Sequence, residues 1–285
     1  MKKLLFLFDT DETPSVFDTV VGYDGGADHV TGYAGVTPDN VGALVDGTIY
    51  TRGGKDKQNT AIFVGGGSMG KGEALFEKIK KHFFGPFRVS IMLDSNGSNT
   101  TAAAGVAQLA KGRSLKGKKA VVLAGTGPVG MRAAGFLGME GADVTITSRT
   151  KERAEEAAKV IGKRFGIEVK GVAGGTDEER TEAVKDANIV YAAGAIGVQL
   201  LPKAAWENNS NIELLADVNA QPPLGVEGIE ATDKGKDYNG KLAFGALGIG
   251  GLKLKLHRAC IGKMFESSDG VFDAEEIYAL AKEMA

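Results

Sequence analysis

The segment that most constrains the fold is KKAVVLAGTGPVGMRAAGFLGMEGADVTITSRTKER, Lys118 to Arg153. An apolar run, a glycine turn, a helix-spaced stretch and a second apolar run follow one another without a break. Gly125-Thr126-Gly127-Pro128-Val129-Gly130 fits G-x-G-x-x-G between AVVLA and the helix pattern, the context in which that spacing carries a mechanism. Gly125 permits the tight turn, Gly127 lets a pyrophosphate approach the backbone, and Gly130 lets the helix pack close to the strand. The first helical turn then offers unpaired N–H groups to an anion. The segment predicts a Rossmann-type βαβ unit that holds a dinucleotide.

The second strand selects the dinucleotide. An NAD site carries Asp or Glu about 20 residues past the glycines, on the ribose 2′-hydroxyl. Here that strand ends in Ser148-Arg149-Thr150-Lys151, with Arg153 beyond. An acid would repel a 2′-phosphate, whereas Arg149 can hold one in a bidentate fork, with the hydroxyls of Ser148 and Thr150 as further donors. Lys151 and Arg153 add field, and Arg153 taken alone reads as the solvated start of a helix. Ala193 and Gly194, closing the strand NIVYAAG, complete the expected cofactor-binding set. The expected cofactor is NADP.

The same alternation runs along the whole chain. Buried strands are expected at 4–8, 61–67, 87–94, 119–125, 143–149, 188–194 and 212–218, and helices at 72–84, 99–112 and 151–166. This predicts an α/β protein with parallel sheets, and 285 residues suggest two domains. The boundary is placed at the basic turn KGRSLKGKK. Residues 1–112 form the first α/β domain, 113–268 the Rossmann-type domain, and 269–285 a closing helix that returns to the first domain.

A net charge of −2 argues against a nucleic-acid surface. The single cysteine, Cys260, excludes an internal disulfide and suits a reducing compartment, the cytoplasm. The opening run Leu4 to Phe8 is too short for a signal-peptide core and reads as a buried first strand. No run approaches the ~20 apolar residues of a membrane span. His29, His82 and His257 are not spaced as metal ligands, so no metal is expected.

Two motifs mislead. GGGSMGKG (65–72) matches a P-loop up to Gly72, which replaces the Ser or Thr that would hold Mg²⁺; a glycine turn lining the substrate cleft is expected instead. Tyr278 to Lys282 matches Y-x-x-x-K but sits in the last helix, far past the dinucleotide turn, and Tyr278 reads as packing.

A dinucleotide domain does not name a reaction. The segments LFLFDTDETPSVFDTVVGYDGGADHVTGYAGVTPDNVGALVDGTIYTRGG, FFGPFRVSIMLDSNGSNTTAAAGVA, AGTGPVGMR, NAQPPLG and AFGALGIGGLKLKLHRACI resemble the NADP-dependent methylene-tetrahydromethanopterin dehydrogenases of methylotrophic bacteria over essentially all of the chain. The resemblance implies an oxidoreductase of one-carbon metabolism that converts a methylene-tetrahydropterin to the methenyl cation, with methylene-tetrahydrofolate as a second accepted substrate. It implies an N-terminal α/β pterin domain beside the NADP domain, and a homo-oligomer, a trimer. The bifunctional folate dehydrogenase–cyclohydrolases carry Tyr-x-x-x-Lys in their first domain; none occurs before residue 112, so hydrolysis of the product is expected to fall to another enzyme. The competing readings are a methylene-tetrahydrofolate dehydrogenase and a non-catalytic NADP-binding regulator.

Hydride loss from a carbon between two nitrogens removes no proton, so no strong general base is needed, and alignment of two rings is the main task. Lys253 and His257 are four apart in a helix pattern and share a face, whereas Lys255 points about 200° away from Lys253. By resemblance Lys253 and His257 lie at the pterin, with Thr101 also reaching the substrate. A protonated lysine beside a forming cation is unfavourable, so Lys253 is either away from the reacting carbon or partly neutral. Phe17 resembles a ring that packs on the pterin, its alternative being a core phenylalanine. Asp18 can accept from an amino-pyrimidine edge. Asn99 and Thr100 complete the expected substrate contacts, with helix capping as their alternative.

Overall fold

Residues 1–285 are described in a computed structural model. Contacts divide the chain into two units, Met1–Thr100 with Leu254–Leu280, and Thr101–Lys253 with Ala281–Ala285. Three helices run through the division.

In the first unit β1 (Leu4–Asp9), α1 (Val16–Asp24), β2 (His29–Tyr33), α2 (Gly42–Tyr50), β3 (Thr60–Gly65), α3 (Met69–His82) and β4 (Ser90–Leu93) alternate, and α4 (Ser98–Ala110) leaves the unit. The opening apolar run is thus the first strand. Side-chain caps set the helix starts: Ser15 accepts from Asp18 N and Ser68 from Lys71 N, each satisfying a donor the helix cannot. β3 and β4 are buried along their full length, as expected of a parallel sheet covered on both faces. Phe8, Ile62, Val64, Leu75, Phe76 and Ile91 form the core beneath α2 and α3.

The second unit continues with β5 (Lys119–Leu123), α5 (Pro128–Met139), β6 (Asp143–Ser148), α6 (Lys151–Phe165), β7 (Val169–Ala173), α7 (Asp177–Val184), β8 (Ile189–Ala192), α8 (Lys203–Trp206), β9 (Leu214–Asp217), β10 (Lys234–Tyr238) and β11 (Lys241–Phe244). α9 (Ala246–Met264) then crosses back, and β12 (Val271–Phe272) and α10 (Ala274–Met284) follow. α6 is capped by Thr150 and stops at Gly166, which takes φ 66°, a left-handed conformation that suits glycine at this position. α7 has a full capping box between Thr176 and Glu179.

The two sheets run β12-β4-β3-β1-β2 and β10-β11-β9-β8-β5-β6-β7. All pairings are parallel except β10 with β11. In each sheet the chain builds outward from one strand and then reverses. The switch lies between β1 and β3 in the first and between β5 and β8 in the second, and ligands of open α/β sheets bind outside the carboxyl ends at such points. β2, β7, β10, β11 and β12 do not stand out as apolar runs. The helix carrying Lys253 is α9. It starts at Ala246, so Gly248, Gly250 and Gly251 lie inside it. Gly248 is required there, since a Cβ would sit 1.9 Å from Asp233 O. No helix is long and apolar enough to cross a membrane.

Candidate active site

The dinucleotide turn lies at the carboxyl end of β5. Ala124 takes φ 53°, an unusual conformation for a residue with a Cβ, and is held there because its N–H donates to Thr147 Oγ1 at 3.0 Å. Gly125 N–H donates to Thr147 O at 2.9 Å. The three glycines separate into two kinds. A Cβ on Gly125 would lie 2.7 Å from Ile146 Cβ, and one on Gly130 2.8 Å from Gly125 Cα, so both are demanded by packing. A Cβ on Gly127 would meet nothing within 4 Å, so its space is open toward a ligand. Gly127 is also the N-cap of α5 and brings no side-chain acceptor, and Pro128 takes the first turn. Thr126, Pro128 and Val129 are half-buried around it. That leaves the helix N-terminus to an external anion.

Beside the turn is a pocket of about 510 Å³ whose walls include Thr126, Ser148, Arg149, Arg153 and Gly194. Ser148 is buried and Arg149 exposed at the end of β6. Thr150 caps α6 through its hydroxyl, accepting from Arg153 N, so that oxygen already has a structural task. Lys151 pairs with Glu155 at 3.5 Å, a solvated helix pair. Ala193 and Gly194 are half-buried after β8, and Ala193 N–H donates to Leu123 O. Thr147 and the Gly174–Gly175 turn were not expected: a Cβ on Gly174 would be 2.7 Å from Thr147 Cβ, and one on Gly175 2.8 Å from Arg149 O. The doubled glycine in VAGGTDEER was the available signal.

At the end of β9, the carboxylate of Asp217 is fully buried and accepts from Asn219 N and Val226 N, both at 2.9 Å. Burial pushes its pKa up, against these hydrogen bonds. It anchors the NAQPPLG loop at the strand end.

In the first unit, the turn after β3 faces the end of β1. Asp9 accepts from Asp11 N and Ser15 N, each at 2.9 Å, and Asp11 accepts from Gly67 N at 2.7 Å. The glycine turn of the P-loop-like segment is therefore closed by the protein's own carboxylate. A Cβ on Gly72 would lie 1.9 Å from Ser95 Oγ, so packing excludes the Ser or Thr of a true P-loop.

Phe17 is 49% exposed, which removes it from the core, and its ring centroid is 6.3 Å from that of His257. Asp18 is half-buried one residue on. His257 is fully buried, stacks on Phe63 at 5.3 Å, and places Nδ1 3.8 Å from Asp94 Oδ2. Asn99 and Thr100 depart from the expected substrate contact. Both are fully buried; Asn99 Nδ2 donates to Leu93 O at 2.7 Å, and Thr100 donates N–H and O–H to Asp94 at 3.0 and 2.6 Å. Their polar atoms hold the start of α4. In the second unit Thr101 and Lys253 are half-buried; Lys255, counted with the first unit, is exposed. Tyr278 is buried.

Comparison with known proteins decides the family. The chain is 71% identical over 286 residues to the bifunctional protein MdtA of Methylorubrum extorquens, covering 100% of this chain and 99% of that protein. It is 32% identical over 281 residues, 95% of each chain, to an NAD(P)-dependent methylenetetrahydromethanopterin dehydrogenase of the same organism. The chain belongs to the methylene-tetrahydromethanopterin dehydrogenase family. Residues 16–96 match the N-terminal region of methylene-tetrahydromethanopterin dehydrogenase, the stretch that holds Phe17, Asp18 and Asp94. Among solved structures, shikimate 5-dehydrogenases from Listeria monocytogenes (TM-score 0.56, 14% identity, 97% of this chain and 95% of that one) and Mycobacterium fortuitum (TM-score 0.53, 15% identity, 98% and 97%) share the fold. As a methylene-tetrahydromethanopterin dehydrogenase family member the protein is an oxidoreductase.

Proposed function

We propose that this enzyme catalyses the reversible dehydrogenation of methylene-tetrahydromethanopterin to its methenyl form with NADP, and accepts methylene-tetrahydrofolate as a second substrate. The observation that carries the reading is the end of β6 beside the open Gly127 turn, where Ser148 and Arg149 stand in place of an acid, in a chain of this family. The relative named as bifunctional supports a reading with more than one activity. NADP, when bound, supplies the hydride acceptor. Gly125 to Gly130 and the N-terminus of α5 would hold its pyrophosphate. Arg149 and Ser148 would hold the 2′-phosphate, with Arg153 at the pocket wall and Lys151 adding field.

On the substrate side Phe17 offers an exposed ring for stacking and Asp18 an acceptor for an amino-pyrimidine edge. In the first unit His257, fully buried against Phe63, backs the exposed Phe17 ring and positions it for the pterin; in the second unit Lys253 and Thr101 are the candidate polar contacts. The burial of Lys253 relative to Lys255 supports the choice of lysine. None of these residues must take a proton from the reacting carbon. Their work is to align the rings and exclude water. The enzyme acts in the cytoplasm as a homotrimer.

The test is a hydride assay with the purified protein, NADP and each methylene-tetrahydropterin in turn. NADPH absorbance rising with both pterins is expected. Activity with methylene-tetrahydrofolate alone would make it a folate enzyme, and silence with both would leave only the regulator.

A further inference from the structure

Two walls of the 510 Å³ pocket are the Gly174–Gly175 turn after β7 and the Val198–Leu200 segment after β8. One side chain joins them. Arg180, on α7 with its side chain 11% exposed, donates Nε–H to Leu200 O at 2.5 Å and Nη1–H to Gly174 O at 2.8 Å. Its Nη2 pairs with Asp177. Gly174 in turn donates its N–H to Ser148 O at 2.7 Å. Thus the guanidinium is one peptide removed from the strand end that carries Ser148 and Arg149. On the other wall, Leu200 and Leu201 both donate N–H to Gly225 O.

Turning a largely buried guanidinium onto backbone carbonyls is a costly way to close a turn, unless the geometry or the charge is needed. α7 is already fixed by its capping box, so helix stability does not require it. We propose that Arg180 is a positioning residue for the 2′-phosphate end of the cofactor. Through Gly174 it fixes the Ser148–Arg149 strand end, through Leu200 it fixes the facing wall, and its charge adds to the field of Arg149 and Arg153. The pocket is thereby set before the ligand arrives, which lowers the ordering cost of binding. This rests on the NADP reading of the pocket.

The experiment is calorimetric titration of the full-length protein with adenosine 2′,5′-bisphosphate and with adenosine 5′-phosphate. Wild type is expected to prefer the bisphosphate; a wild type that binds neither ligand would sink the pocket reading itself. Arg180→Lys and Arg180→Gln are expected to weaken the bisphosphate about tenfold, and the monophosphate by a much smaller factor. In turnover, KM for NADP rises while KM for the pterin holds. A lysine variant that binds as wild type would overturn the proposal, because an ammonium is a compact point donor and lacks the rigid planar fork that spans the Leu200 and Gly174 carbonyls. So would equal weakening of both ligands, the mark of a merely structural residue. Should the Arg180 variants fail to fold, Asp177→Asn, which keeps an oxygen acceptor for Arg180 but removes the anion that offsets its charge, must raise the bisphosphate preference about twofold; an unchanged preference there is equally fatal.

Discussion

Two neighbouring glycines should give opposite results when each receives a methyl group. Gly127 has φ −80° and ψ 167°, a conformation open to alanine, and its new Cβ would meet nothing within 4 Å. Alanine is a poorer N-cap than glycine by roughly 0.5–1 kcal/mol, but it reduces unfolded-state freedom by about 0.4–1 kcal/mol. The ligand-free Gly127→Ala protein should therefore unfold within about 0.5 kcal/mol of wild type. Its methyl group nevertheless fills the space a pyrophosphate needs, so NADP affinity should fall more than about tenfold, at least 1.4 kcal/mol. At Gly130 the new Cβ would lie 2.8 Å from Gly125 Cα and 3.1 Å from Ala124 O. These are backbone atoms of a strained turn and cannot yield cheaply. Overpacking of this kind costs about 1–3 kcal/mol, or roughly 2–4 °C of melting temperature per kcal/mol. Differential scanning fluorimetry without ligand and NADP titration on both variants provide the four numbers. Full NADP affinity in Gly127→Ala would refute the placement of the pyrophosphate, and a wild-type melting point in Gly130→Ala would refute the packing.

Arg149→Ala should raise KM for NADP by about 10- to 100-fold, from the 1.5–3 kcal/mol of a charge-assisted hydrogen bond, and leave KM for NAD nearly unmoved; equal effects on both cofactors would exclude a 2′-phosphate contact. Lys253→Ala should lower kcat/KM about 100-fold through lost orientation, and Lys255→Ala should not; steady-state kinetics with the reverse ranking would reject the assigned face of α9. Cys260 is buried, and burial, helped by the charge of Asp94, pushes its thiol up from 9.0 to about 12. The unfolded chain releases that proton first, so stability should decline between pH 9 and 12. Cys260→Ser should flatten this decline in urea titrations, and an unchanged slope would count against it.

The β5–turn–α5–β6 segment could be read from the chain because every part of it is local. Strand, turn and helix cap are coded within a few residues of where they act. The same holds for the buried strands β1, β3, β4, β8 and β9, whose apolar runs need no partner to be recognised. β7 is different: VKGVA carries a lysine and a glycine, and reads as a loop. The glycine is there because a Cβ at Gly171 would lie 2.4 Å from the backbone of Ala154 and Glu155 on α6. That reason lies in a helix pressed against the strand, which periodicity does not register. β2, with most of its residues partly or fully exposed, and β10, with no buried residue, lack an apolar run for the same kind of reason. Thr147 escaped notice because its hydroxyl acts across to Ala124, 23 residues away. Asn99 and Thr100 were suitable for either role, and only the position of Asp94 assigned them to the start of α4.

The carboxylate of Asp11 on the Gly67 amide has a wider meaning. A glycine turn beside a helix start is a natural phosphate trap, and this chain contains two of them. At Gly127 the trap stands open, with Arg149 and Arg153 along the adjoining pocket. At Gly67 it is stoppered from within, and Asp9 and Asp18 thicken the negative charge around it. On the proposed reading, a polyanionic nucleotide is drawn to the open turn and repelled by the stoppered one, so the placement of two aspartates and two arginines sets which turn receives phosphate.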